Sequence, residues 1–430
     1  MKEKRKNKQR TSQGVTLIAL VVTIVILIIL AAVSINMVLG DQGIFKKAQE
    51  GANSMHDAEV NTQAGFNSIT DEIDKITSGQ GGVTPPVVPE KTVIEAKADG
   101  EEFTKKTPIE DEHGNVVQVP AGFKVAEDSG NTVQQGIVIE DVSASGDEAV
   151  QGSQFVWIPV GTFIKDDKST SNEIILGRYT FGNSTTNGEP TLVQAAYTED
   201  KPENYLKHGE KETISYHTEL SEYREGVASD DKDVGLNATA KDLAGFVNSV
   251  KTNGGYYIAR YEASFASGDN INNYKAASKQ SNGFSEDSMS YTKGTLWNWI
   301  TQLNASKVSI NTYSESSSVK SDLMNSYAWD TAIVYIQEAT GEDYANKKSV
   351  NTSLKDTGTI GDEVCKINDM ASNVYEWTTE YSSYTRTDLA YPCTHRGVTT
   401  TIVATARLTA ATLQPLAATS AIGFRFSLYM

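Results

Sequence analysis

Residue types that could carry out chemistry are sparse in this chain. There are only two cysteines, Cys365 and Cys393, and no CxxC pair, so a zinc site of four thiolates is excluded. None of the five histidines stands at HExxH or HxxxH spacing. No Walker A loop and no G-x-S-x-G elbow occurs, which leaves nucleotide hydrolysis and α/β-hydrolase chemistry without their machinery. The 430 residues carry a net charge of −17. Residues 1–14 hold Lys2, Lys4, Arg5, Lys6, Lys8 and Arg10 against Glu3, a net +5 that leaves −22 on the remainder. So acidic a body offers no clustered bases for phosphate, and nucleic acid is not an expected partner.

The elements that would position a site begin with residues 15–35, VTLIALVVTIVILIILAAVSI, 21 residues without a charge. At ~1.5 Å per residue such a helix spans roughly 30 Å, the thickness of a bilayer core. The basic leader, 1–14, stays cytoplasmic by the positive-inside bias and sends the rest outward. A simple signal peptide would have a shorter apolar core, about 7–15 residues. A transmembrane helix is therefore expected over 15–39, with the membrane as its partner. Residues 40–77 read as a stalk helix, with Phe66, Ile69, Ile73 and Ile76 on one face. A Gly/Pro linker follows over 78–91.

Residues 92–430 have globular composition. Short strands are expected at 115–119, 136–139, 155–159 and 256–261, with a hairpin turn at His113-Gly114-Asn115. Helices are expected at 237–250, burying Leu243, Phe246, Val247 and Val250, and at 321–338, burying Met324, Ala328, Ala332 and Tyr335. The stretches 165–235 and 265–320 are polar and read as long loops or small insertions. Without a βαβ rhythm the fold class is α+β.

Two resemblances extend this reading. The basic leader, Gly14, and then Val15-Thr16-Leu17-Ile18 resemble the start of type IV prepilins. That resemblance implies a prepilin peptidase as partner, cleavage between Gly14 and Val15, and a helix kept in the membrane or a pilus. The family's acid at the fifth mature position is Ala19 here, which weakens filament assembly and favours an anchored or minor subunit. Further on, Phe155–Phe163, Gly255–Glu262, Asn368–Thr378, Arg396-Gly397 and Gly423-Phe424-Arg425 are similar, in order, to blocks of the formylglycine-generating-enzyme (sulfatase-modifying factor) family. This implies a C-type-lectin-like domain. Ser372 and Val398 replace two glycines of that family. Its C-terminal cysteine pair is missing, so the thiol oxidase activity is not expected and no catalytic residue is assigned. Cys365 and Cys393 would close a disulfide loop of roughly 28 residues outside the cell, contributing about 3 kcal/mol; free buried thiols are the alternative. Asn373 and Glu376 read either as turn and cap residues or, by resemblance, as ligands of a structural Ca²⁺. No other cofactor is expected. Arg396 and Arg425 read as buried structural arginines paired with acids.

Between the last two blocks, residues 397–421 hold seven Thr and seven Ala, with no acid, lysine or aromatic. A small-residue strand pair in the core is the bland account. The position and composition are also similar to the variable stretch of diversity-generating-retroelement proteins, which use the same fold. That resemblance implies a ligand-binding face built from Val398, Thr399, Thr400, Thr401, Ile402, Val403, Thr405, Leu408, Thr409, Thr412 and Leu413. The expected function is a surface-displayed, adhesin-like protein whose ligand is an unidentified protein or glycan. The alternative is a structural minor pilin.

Overall fold

The structure, a computed structural model, describes residues 89–196, 220–221, 243–287, 291–349, 351, 353–382, 393–397, 407–409 and 421–430. The chain divides into two units, Met1–Val87 and Val88–Met430, and the described residues belong to the second. The expected leader, the helix over 15–39, the stalk and most of the linker lie outside the described residues. Among the described residues, no helix is long and apolar enough to cross a membrane.

The second unit is mixed and sheet-rich, an α+β arrangement. It opens with β1 (Lys91–Thr92) and helix α1 (Val93–Asp99). The helix is started by a capping box: Thr92 accepts from the Glu95 N–H, while the Glu95 carboxylate reaches back to the Thr92 N–H. Strands β2 (Thr107–Glu110) and β3 (Val116–Val119) form the expected hairpin. The Asp111 carboxylate closes its turn by accepting the N–H groups of His113 and Asn115.

Strands β4 (Phe123–Val125), β5 (Val138–Asp141), β6 (Gln154–Pro159), β10 (Gly255–Ala259), β13 (Lys320–Leu323) and β18 (Phe426–Tyr429) make the central antiparallel sheet, ordered β13-β18-β10-β6-β5-β4. The last strand of the chain thus inserts between β13 and β10, a pairing no local pattern encodes. Phe155, Tyr313 and Phe426 pack edge to face on this sheet with centroids 5.6–6.1 Å apart, Phe123 joining them. Helix α2 (Leu243–Asn253) lies against β10 and β18 through Phe246, which meets Tyr256 and Tyr429. The expected Leu243, Phe246, Val247 and Val250 are all buried.

Three expectations need correction. Residues 320–323 are strand β13, and the helix expected from 321 starts only after Asn325, whose side chain accepts the Ala328 N–H. The resulting helix, Ser326–Thr340, is buried nearly all round and ends at Gly341, φ +73. The stretch 265–320, expected as loop, contains hairpin β11 (Ser264–Ser267) with β12 (Lys275–Ala277) and the helix Gln302–Thr312. In chain order these helices are α3 (Gln302–Thr312) and α4 (Ser326–Thr340). The stretch 165–235 contains a hairpin of β7 (Gly177–Phe181) and β8 (Pro190–Ala195), docked on α4, and β9 (Leu220–Ser221).

Candidate ligand-binding face

A second sheet is built from β14 (Tyr375–Ser382), β15 (Cys393–Arg396), β16 (Arg407–Thr409) and β17 (Ile422–Phe424), ordered β16-β15-β14-β17, with β9 also on β14. The expected binding segment therefore leaves the sheet at Arg396-Gly397, contributes edge strand β16, and re-enters at β17 on the far side of β14. In register, Leu408 stands opposite His395 and Thr409 opposite Thr394. Val398, Thr399, Thr400, Thr401, Ile402, Val403, Thr405, Thr412 and Leu413 lie outside the described residues, as do Gly14 and Val15.

Both ends of the segment are fixed from beneath. Arg425 follows β17 directly and is fully buried. Its Nε and Nη2 donate to the Glu376 carboxylate at 2.9–3.2 Å, Nη1 donates to the Ala259 and Arg260 carbonyls, and Nη2 also donates to the Asn368 carbonyl. Burial opposes its charge, but the Glu376 carboxylate more than offsets this and holds the guanidinium above its usual range. At the other end, Arg396 is equally buried and pairs with Asp330 of α4, lying over the Trp329 ring. Gly397 then adopts φ +106, a conformation that only glycine takes readily. At Gly423 a Cβ would come within 3.0–3.1 Å of Val374 and the Trp297 carbonyl, so any side chain there would require these neighbours to give by a few tenths of an ångström. Both expected structural arginines are thus where the sequence placed them.

Across the sheet, His395 stands between Leu408 and Trp377 in register, and Trp377 stands beside Phe424. Trp377 is buried and donates Nε1–H to the Ile300 carbonyl at 2.9 Å. His395 meets the rings of Tyr375 and Trp377 edge-on at 4.8 and 5.6 Å, and burial pulls its pKa down to about 4, so it is neutral.

The loop leading into β14 carries Asp369 and Asn373 at φ +61 and +65. Ser372 is not left-handed; the left-handed position falls on Asn373, a residue type that tolerates it. Ser372 donates its hydroxyl to Asp362.

Neither expected calcium ligand presents a spare oxygen. The Asn373 side-chain oxygen accepts the Lys355 N–H, and its amide nitrogen donates to Glu262 at 2.5 Å. The Glu376 carboxylate is taken by Arg425. The pair does not fit a cation. The unpartnered oxygen in this region is Asp369 Oδ1, buried, while its Oδ2 accepts from Thr357 and Gly358. Burial, opposed by the Thr357 hydroxyl, lifts Asp369 to about 7.

The expected disulfide is likewise not formed. Cys365 is a free thiol at φ +45 in the tight 364–367 turn, and burial pushes it up to about 12. In that turn Val364 bridges to Ile367, while Cys393 stands in β15 opposite Tyr381 of β14. Sequence reasoning missed Glu262, which accepts from Asn373 and the Val374 N–H, and Asp330. An acid inside the buried run 326–336 was the available signal for Asp330.

No family model matches the chain, and no curated protein matches it either. Among solved structures it is similar to "Treponema denticola variable protein 1", with 14% identity and a TM-score of 0.23, covering 41% of this chain and 96% of that one. A TM-score of that size carries no inference about fold or ligand.

Proposed function

We propose that the chain is a surface-displayed ligand-binding protein that binds through residues 398–421 on a C-type-lectin-like domain. The supporting observation is the pair of buried ion pairs, Arg396–Asp330 and Arg425–Glu376, that fix the two ends of the segment. With the anchors carried by residues outside the segment, side chains within it can change at little cost to the fold. The Thr, Val, Ile and Leu of the segment suit a protein surface. The anchoring helix over 15–39, cleavage between Gly14 and Val15, and diversification by a retroelement belong to the same proposal. The chain is read as a binder and not a thiol oxidase, in keeping with a half-buried Cys365 thiol that stays protonated at neutral pH.

The test is a library randomised at Val398–Val403, Thr405, Thr412 and Leu413. Most members should keep the parent's thermal midpoint while differing in binding to a panel of host-surface proteins and glycans. A library that mostly fails to fold would show the segment to be packed structure and sink the proposal.

A further inference from the structure

Asp330 does more than pair with Arg396. One carboxylate oxygen, Oδ1, holds the Arg396 guanidinium; the other, Oδ2, accepts the Tyr179 N–H of β7 at 2.9 Å. The same stretch of α4 grips that hairpin again. The Thr331 hydroxyl accepts the Gly177 N–H at 3.2 Å, and the Ser326 hydroxyl accepts Arg178 Nε–H at 2.8 Å, with Arg178 over the Tyr327 ring. Further along, Gln337 donates to the Gly188 carbonyl, and beyond the helix Asn346 donates to the Gly182 carbonyl. Across the hairpin, Tyr179 stands in register with Leu192, which is exposed, as is Val193 beside it. One buried carboxylate therefore joins a hairpin with an exposed apolar strip to the residue just before the binding segment.

We infer that Asp330 is a positioning residue that couples the β7–β8 hairpin to the stem of the 397–421 segment, so that the two move as one platform. The inference rests on the reading of 397–421 as the binding segment for its purpose, but the coupling itself is independent of any ligand. A carboxylate with both oxygens engaged by different elements is the simplest such device: loosening either contact frees the side chain to shift at the other.

Hydrogen exchange, read peptide by peptide on the full chain, tests it. Asp330→Asn removes the charge and should raise exchange by roughly tenfold, the factor for one charge-assisted hydrogen bond, in both 177–181 and 393–396. Peptides of β4 and β5 should stay at wild-type protection, which a merely structural role for Asp330 would not allow. Thr331→Val, a milder change that leaves the Asp330–Arg396 pair in place, should raise exchange in 177–181 and, to a smaller degree, in 393–396. If Asp330→Asn does not fold, Thr331→Val alone decides. Loosening of 177–181 with 393–396 unchanged would overturn the coupling, and so would a uniform loss of protection. Retained coupling in a chain whose library shows no change in binding would instead count against the ligand-binding reading.

Discussion

Replacing Arg425 with Met removes a guanidinium that lies fully buried and donates to five acceptor atoms: both Glu376 oxygens and the carbonyls of Ala259, Arg260 and Asn368. Methionine fills a similar volume, so the cavity term is small. The Glu376 carboxylate is left buried without its partner, a loss of roughly 3–5 kcal/mol for breaking such a pair. The three orphaned carbonyls add to this, each at about 1 kcal/mol or more. Against a total stability of about 5–15 kcal/mol, Arg425→Met should be at or past the edge of folding. The double variant Arg425→Met with Glu376→Leu takes away the buried charge as well. It should be more stable than the single variant, with a coupling energy of at least about 2 kcal/mol in the cycle. Urea unfolding followed by fluorescence of the buried tryptophans reads all four corners. An Arg425→Met protein within about 1 kcal/mol of wild type, or strict additivity in the cycle, would refute the argument that this pair anchors the segment.

Other expectations follow from the same geometry. His395 is neutral in the folded state with a pKa near 4, against an ordinary 6.5. Between those values the unfolded chain binds a proton that the folded chain does not, so stability is complete above about pH 6.5 and falls toward pH 4 by up to about 3 kcal/mol. His395→Phe should flatten that part of the pH profile, and an unchanged slope would remove His395 as its cause. Cys365 should resist thiol reagents until the protein unfolds, and dithiothreitol should leave the thermal midpoint where it is; a midpoint that drops on reduction would restore the disulfide. Added Ca²⁺ should leave the thermal midpoint where it is, because Asn373 and Glu376 are already engaged by Lys355, Glu262 and Arg425. A midpoint that rises with Ca²⁺ would restore the calcium expectation.

Much of the frame was legible because local rules decided it. The β2–β3 turn, the α2 face, the strand at 155–159 and the one expected at 256–261 and found at 255–259 follow from turn residues, helical periodicity and short apolar runs. The helix α3 was not legible because its buried side is built from small polar residues: Ser306, Ser309 and Thr312 are buried beside Ala305 and Val308. The hydroxyls of Ser309 and Thr312 satisfy themselves on the carbonyls of Ala305 and Val308, so no apolar stripe advertises the face. The start of α4 was misplaced because β13 runs straight into it and Asn325 was not recognised as its cap. In the site, Arg396 and Arg425 could be expected from their neighbours in sequence, but their partners could not. Asp330 and Glu376 stand 66 and 49 positions away, and only the fold brings them in. For Asn373, Glu376 and Cys365 the sequence left two readings open, and packing favours the plainer one: Asn373 and Glu376 are held by Lys355, Glu262 and Arg425, and Cys365 is a free thiol.

The most direct test of the central claim is deep sequencing of this coding region from a single growing population. Substitutions concentrated in codons 398–421, with the codons for Arg396, Gly397, Gly423 and Arg425 constant, are the predicted result. A segment as invariant as its anchors would contradict active diversification of this face and move the weight to packed structure in a minor pilin.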